Sequence, residues 1–343
     1  MENKTSIFKK ISLYLDDEAL KVQMQSDKNK SNTATVQNDG LRIITTERHV
    51  FGATLIRCQI ESERKQTIQL RTASPLCCLF VSFLDEIVFR FNGTAHGTHP
   101  YHFNFVKVPA NTYELELQDS SQYDLVMILY SSDLLAGASG GHPQLTRFLK
   151  SQDPDSVFPL YPWFIPAGLD LLITVHEMFL PWDQQLVQFK TENLVLNALH
   201  LVLRPLEQSL PGAFRNLPQE QMNIVYSFVE HVLSILDNKE NQITDHTNIG
   251  EIIDIINTNR LDLARNFKAM FGESPYHFFN AIRMRKALNL LTECPQMPLT
   301  EVANAVGYKS TKTFKKAFIP VYGETCWSCI RPARKRTQRI NTN

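Results

Sequence analysis

Between residues 41 and 134 the apolar residues come in short runs. The segments FGATLIRCQI, LCCLFVSFL, EIVFRF, YHFNFVKV, TYELEL and YDLVMILY are rich in β-branched and aromatic residues, and turn-forming residues separate them. In YELEL the charged and apolar residues alternate cleanly, as in a strand with one polar face. Several such strands at this spacing predict a β-barrel or sandwich. Upstream, SDKNKSNTATVQND (residues 26–39) is polar and aperiodic and reads as a flexible loop or linker. Downstream, SQDPDSVFPLYPWFIPAG holds four prolines, cannot form one helix and marks a boundary. The period then becomes helical, in LDLLITVHEMFL, DQQLVQFKTENLVLNALHLVL and EQMNIVYSFVEHVLSIL. After the polar connector DNKENQITDHTN, everything from residue 248 reads as short helices. The pattern predicts an α+β multidomain chain. Residues 1–135 form a β-rich domain, 136–243 a proline-rich boundary with connecting or dimerisation helices, and 244–343 an all-α domain.

The last hundred residues contain one plan twice. In EVANAVGYKSTKTFKKAF (residues 301–318), Val302, Ala303 and Val306 make an apolar stripe. Gly307 follows, where a left-handed backbone allows a sharp turn. Ser310 is placed to cap a second helix. In that helix Phe314 and Phe318 point inward, while Lys312, Lys315, Lys316 and Ile319 share another face. In NIGEIIDIINTNRLDLARNFKAMFG, Asn248 and Glu251 resemble a capping box, Asn257 stands at the turn and Asn259 at the cap. Leu263 and Phe267 point inward; Leu261, Ala264, Arg265 and Lys268 lie on the outer face. Each unit is a short helix, a tight turn and a second helix of the right size for the DNA major groove. The amphipathic helix SPYHFFNAIRMRKALNLLTE between them is long enough to hold the two about one DNA turn apart, near 34 Å. Its Arg283 is open to two readings, a phosphate contact or a structural ion pair.

Charge changes this picture further. The chain of 343 residues is 43% apolar and 20% charged, an ordinary globular composition, with formal net charge zero. From Thr244 onward there are 15 Lys+Arg against 8 Asp+Glu, a net of +7, which leaves −7 on the preceding residues. That asymmetry points to a polyanion-binding C-terminal part. The tail RPARKRTQR would add sequence-independent phosphate attraction, or solubility alone.

The segments RNFKAMFGESPYHFFNAIRMRKALNLL and PLTEVANAVGYKSTKTFKKAFIPVYGET together resemble the DNA-binding domain of the AraC/XylS family of bacterial transcription regulators, over about residues 245–332. The resemblance implies two helix-turn-helix units with their recognition helices in successive major grooves, and an N-terminal domain that binds a signal or partner. Carried over by position, the DNA-facing residues are Leu261, Ala264, Arg265 and Lys268 in the first unit. In the second they are Thr311, Lys312, Lys315, Lys316 and Ile319. It favours activation over repression. Three departures stand out: Pro320 should end the last helix by Ile319, Cys326 replaces a proline, and Ile253 replaces a small alanine at the first helix crossing. The β region resembles the cupin-like sensor domains of the family in strand rhythm but lacks their HxH metal signature.

Other chemistry is sparse. The six cysteines make no disulfide framework, and reduced thiols are the default. Cys326 and Cys329 have CxxC spacing without the second pair a structural zinc site needs. Cys77 and Cys78 point to opposite faces of a strand, so at least one of them is expected in the core. His96, His99 and His102 are the best metal candidates in the β region, with no carboxylate close by; a loop role is the plainer reading. No phosphate loop, nucleophile elbow or HExxH motif occurs. No catalytic residue, cofactor or metal ligand is therefore assigned, and no enzyme activity is expected. No secretory signal or spanning segment is visible, so the expectation is a soluble cytoplasmic protein with no membrane partner. The partners expected are double-stranded DNA and a small-molecule effector, with RNA polymerase and a second copy of the chain as further candidates. A metal-dependent cupin-type enzyme fused to a DNA-binding domain and a redox switch at Cys326 and Cys329 are the rival readings.

Overall fold

Residues 11–15, 18–19, 23–26, 31–38, 40–72, 74–91, 94–150, 157–161, 164–180, 187–204, 217–237, 249–294 and 296–322 are described by the structure, a computed structural model. The chain folds as two compact units, Met1–Leu210 and Pro211–Asn343.

The first unit is built on two antiparallel sheets. One runs in the order β10 (Thr94–Thr98), β9 (Ile87–Phe91), β12 (Thr112–Leu117), β7 (Gln66–Thr72), β1 (Ile11–Leu15) and β2 (Glu18–Ala19). The other begins with β14 (Phe158–Pro159), β11 (His102–Val108), β8 (Leu76–Ser82) and β13 (Ser121–Tyr130). It continues through β6 (Ala53–Ser62), β5 (Leu41–Val50), β4 (Ser31–Asn38) and β3 (Gln23–Ser26), and β15 (Ile165–Pro166) pairs with β11. Period-two alternation turns one face of each strand inward: Leu41, Ile43 and Thr45 of β5 are buried while Arg42 between them is exposed. Ile43, Ile60 and Tyr123 of the larger sheet meet Ile68, Ile87 and Leu117 of the smaller one in a single core. The β-rich N-terminal architecture expected from strand rhythm is thus present, as two facing sheets. A cavity of about 400 Å³ remains among its inward-facing side chains.

Residues 31–38 correct the sequence reading of 26–39 as a loop or linker, while 27–30 and 39 lie outside the described residues. Residues 31–38 are strand β4, not a linker, and pair with β5 in a register that sets Ala34 against Thr45 and Val36 against Ile43. Ala34 and Val36 are buried. Two small apolar side chains among Thr, Asn and Gln are a weak signal; the main-chain ladder to β5 supplies what the composition lacks.

Helices α1 (Ser132–Ala138), α2 (Pro143–Lys150), α3 (Leu169–Met178) and α4 (Val187–Leu203) follow the strands. α3 packs on α4, and α4 touches β5. Hydroxyls tie α4 to the rest of the unit, Tyr130 donating to the Val195 carbonyl at 3.1 Å and Tyr161 to that of Val202. Arg48 Nη1 donates to the Met178 carbonyl at 2.7 Å and so satisfies an orphan acceptor at the end of α3.

The second unit holds α5 (Gln219–Asp237), α6 (Ile249–Ile255), α7 (Arg260–Phe271), α8 (Pro275–Glu293), α9 (Leu299–Ala305) and α10 (Thr311–Tyr322). The segment 136–243, read from sequence as one connecting region, is shared between the units. α3 and α4 group with the sheets, and α5 groups with the C-terminal helices because its apolar face packs on α7 and α8.

His102 is buried, and its Nδ1 lies 2.8 Å from the Pro100 carbonyl. Burial, with a smaller contribution from His99, pushes its pKa down to about 4. The unfolded chain therefore takes up a proton near the ordinary histidine value that the folded chain refuses. The first unit should lose stability as pH falls from about 6.5 toward 4, by up to roughly 1.4 kcal/mol per pH unit from this group. Thermal unfolding across that range, beside a His102→Gln variant with a flatter profile, checks it.

Candidate nucleic-acid interface

The two turns of the second unit are closed by the same hydrogen bonds. After α6, Asn257 is left-handed at φ 48°, its N–H donates to the Asp254 carbonyl at 3.1 Å, and the Thr258 N–H reaches the Ile253 carbonyl at 3.3 Å. After α9, Gly307 has φ 75°, its N–H donates to Asn304 at 2.9 Å, and the Tyr308 N–H reaches Ala303 at 2.8 Å. Both are Schellman closures, which need a residue tolerant of positive φ at one point; asparagine serves in one unit and glycine in the other. The helix that follows is capped as its sequence suggests. Asn259 Oδ1 accepts from the Leu261 N–H at 2.7 Å, and Ser310 Oγ from the Lys312 N–H at 3.2 Å. Asn248, half of the expected capping box, lies outside the described residues.

Aromatic cores hold the second helix of each pair. Phe267 of α7 contacts Phe228 of α5 and Phe278 of α8, with ring centroids 5.7 and 5.6 Å apart. Phe314 of α10 meets Tyr308 at 5.8 Å and Phe318 at 5.6 Å. Leu263, Phe267, Phe314 and Phe318 are all buried. On α7 the opposite face is open: Leu261 is 79% exposed, Arg265 and Lys268 are exposed, and Ala264 is half-buried. On α10 Lys312, Lys315 and Lys316 are exposed, Ile319 is 44% exposed and Thr311 half-buried. Each outer face so gathers the residues that the 3.6-residue period places together.

The structure adds partners that the sequence reading did not assign. Arg265 Nη2 lies 2.8 Å from Asp262 Oδ1, one turn back. An exposed pair of this kind contributes only about 0–1 kcal/mol, so it orients the guanidinium without sequestering it. The i,i+3 spacing was the legible signal. Arg283 fits neither of its two readings. Its Nε and Nη2 each donate at 2.6 Å, to the carbonyls of Val306 and Gly307, and its guanidinium lies 4.1 Å from the centroid of the Tyr308 ring. It pins α8 to the turn of the second unit, and no spacing rule reveals a side chain aimed at main-chain carbonyls. Lys286, buried, does the same for α5 by donating to the Ile235 carbonyl at 2.8 Å. Arg283→Met should therefore lower stability by about 1–3 kcal/mol through unsatisfied carbonyls and a lost ring contact; thermal unfolding measures it.

Pro320 does not end the last helix. α10 continues to Tyr322, whose ring is 4.7 Å from that of Phe318. The proline gives up its own bond to the fourth carbonyl back and crowds that carbonyl, while the ring of Tyr322 packs on Phe318 in the turn beyond it. Ile253 at the first crossing is buried. Cys326, Cys329 and the basic tail lie outside the described residues. Cys78 is in the core and Cys77 half-buried. His96 is on β10 and His102 on β11, with the His99 and His102 rings 5.6 Å apart. Among the described residues no group of three or more His, Cys, Asp or Glu is placed to hold a metal ion, and no helix is long and apolar enough to cross a membrane.

One family model falls on the same region. The helix-turn-helix domain family matches residues 253–326. The HTH-type transcriptional regulator MtrA of Neisseria gonorrhoeae is 38% identical over 87 residues, 25% of this chain and 27% of MtrA. The lactose operon transcription activator of Staphylococcus xylosus is 25% identical over 125 residues, 36% of this chain and 42% of that protein. The chain thus spans less than half the length of either curated relative. Among solved structures, the AraC-like transcriptional activator CuxR is 14% identical, covering 84% of this chain and 89% of its own, with a TM-score of 0.35. The C-terminal domain of the response regulator AraT from Geobacillus stearothermophilus is 27% identical, covering 32% of this chain and 84% of its own, with a TM-score of 0.27.

Proposed function

We propose that this chain, whose residues 253–326 match the helix-turn-helix domain family, is a sequence-specific transcription regulator of the AraC/XylS type, activating rather than repressing, that answers a small molecule held by its N-terminal unit. The observation that carries the reading is the repeated construction of the second unit. Two helix pairs, closed by the same turn, each turn one face of the second helix into an aromatic core and leave the other to solvent. Leu261, Ala264, Arg265 and Lys268 of α7 enter one major groove. Thr311, Lys312, Lys315, Lys316 and Ile319 of α10 enter the next, with α8 as the spacer. Arginine is the side chain suited to reading a guanine edge, and the lysines of α10 suit phosphate contact. The relative named as a lactose operon transcription activator supports the choice of activation. RNA polymerase and a second copy of the chain are the further partners of this reading.

The test is selection of bound fragments from genomic DNA by the full chain, followed by affinity measurements on a recovered site at several salt concentrations. Binding should fall steeply as salt rises, with a slope of about −0.9 per phosphate neutralised. A folded chain that recovers no sequence in common, or whose affinity ignores salt, would sink the proposal.

A further inference from the structure

The cavity of the first unit has a chemistry that restricts what can fill it. It measures about 400 Å³, within the range of pockets that take drug-sized molecules. Much of its wall is hydrocarbon, including the rings of Phe80, Phe89, Phe91 and Phe164. These rings brace one another: Phe80 meets Phe89 edge-on at 4.9 Å and Phe164 at 5.8 Å, and Phe91 stacks on Tyr113 at 4.9 Å.

The few polar side chains in the wall are nearly all spent on the protein itself. Asn104 donates to the Tyr161 carbonyl at 3.0 Å and accepts from the Tyr161 N–H at 3.2 Å. The Tyr113 hydroxyl donates to the Pro109 carbonyl at 2.6 Å. Thr72 donates to that carbonyl at 3.0 Å and accepts from the Asn111 N–H at 3.1 Å. The Thr45 hydroxyl donates to Cys58 Sγ at 3.8 Å. Burial pushes the thiols of Cys58, up to about 11, and Cys78 upward, so both stay protonated and unreactive. His96 on β10 is the exception: half-buried and lining the cavity, its imidazole has no partner among the described residues. No Lys, Arg, Asp or Glu lines the cavity among the described residues.

A sugar entering such a space would give up water at every hydroxyl and find one imidazole in return. Each hydroxyl left unpaired costs roughly 1–3 kcal/mol. A phosphorylated metabolite would also bury a charge without a counter-charge. A hydrocarbon-rich molecule gains about 25 cal/mol for each Å² of apolar surface removed from water.

We propose that this cavity binds a neutral, hydrocarbon-rich small molecule whose single hydrogen-bonding group meets the His96 imidazole, and that it excludes sugars and phosphorylated metabolites. The proposal rests on the reading of the first unit as the sensor and names the ligand class. It sets this chain apart from what a relationship to a lactose operon activator would suggest. Part of the wall, Val157, Pro159 and Phe164, belongs to the segment that runs through β14 and β15 into α3. An occupant therefore touches the stretch that positions α3, and through it α4.

The test uses the full chain and N-phenyl-1-naphthylamine, a neutral aromatic probe with one N–H that fluoresces in apolar surroundings. One probe should bind per chain, saturably, and neither lactose nor glucose 6-phosphate should displace it. Met127→Trp, which places an indole in the cavity, should weaken the probe about tenfold or more by taking its space. His96→Ala should weaken it roughly fivefold, the worth of about one neutral hydrogen bond. Thermal unfolding of each variant separates lost binding from lost folding. If Met127→Trp does not fold, the His96 variant and the sugar competition decide. Displacement by lactose, no saturable binding, or binding indifferent to both folded variants would overturn the proposal. DNA affinity of the unsubstituted chain is measured in parallel. Its loss would count against the regulator reading alone, since the probe titration does not depend on it.

Discussion

Phe314→Ala should unfold the second helix-turn-helix unit at temperatures where the unsubstituted protein is intact. The ring is fully buried and packs against Tyr308 and Phe318. Removing a buried aromatic costs about 3–5 kcal/mol, from lost transfer energy and the cavity left behind. For a unit of this size that lowers the melting temperature by on the order of 10 °C. The control lies two residues away. Lys316 is exposed on the opposite face of α10, so Lys316→Ala should change stability by no more than about 0.5 kcal/mol while weakening DNA binding. Melting and DNA affinity are measured on both variants. A Phe314→Ala protein that melts normally would mean that α10 is not held by this core.

Arg265→Ala should cost about 1–3 kcal/mol of affinity for the preferred DNA site and relax sequence preference at one base position, as loss of a side chain on a guanine edge does. The stability effect should be small, because the Asp262 that Arg265 pairs with is itself exposed. Asp262→Ala tests that pairing: affinity should hold or rise slightly as a negative charge leaves the face proposed to enter the groove. Replacing Lys335 and Arg336 of the tail should weaken all sequences alike and flatten the salt dependence. Affinities for a panel of single-base variants of the site distinguish the two behaviours. An Arg265→Ala protein weakened equally on every sequence would reassign Arg265 to phosphate contact. If Lys316→Ala bound normally while Arg265→Ala did not, α7 alone would read DNA.

Local pattern was enough for the helix pairs. The inward positions Leu263, Phe267, Phe314 and Phe318, the caps Asn259 and Ser310, and the turns at Asn257 and Gly307 all follow from the 3.6-residue period and from which residues tolerate φ > 0. These features depend on neighbours a few residues away, so a single sequence carries them. Most strands between residues 41 and 134 were legible for the same reason, since alternation is local. Strand β4 was not, because a polar strand is made by hydrogen bonds to β5, and backbone donors and acceptors are the same in every sequence. The end of α10 was misplaced because Pro320 was read as a stop, whereas the helix runs on to Tyr322, whose ring packs on Phe318. Arg283 and Lys286 found their partners across the fold, on carbonyls that side-chain identity does not advertise. The membership of α5 in the C-terminal unit depends on which surface its apolar stripe meets, and an amphipathic pattern states that a face is buried without stating against what. The cavity belongs wholly to the tertiary structure: its walls come from strands far apart in the chain, and the arrangement that leaves His96 without a partner among the described residues exists only once both sheets face each other.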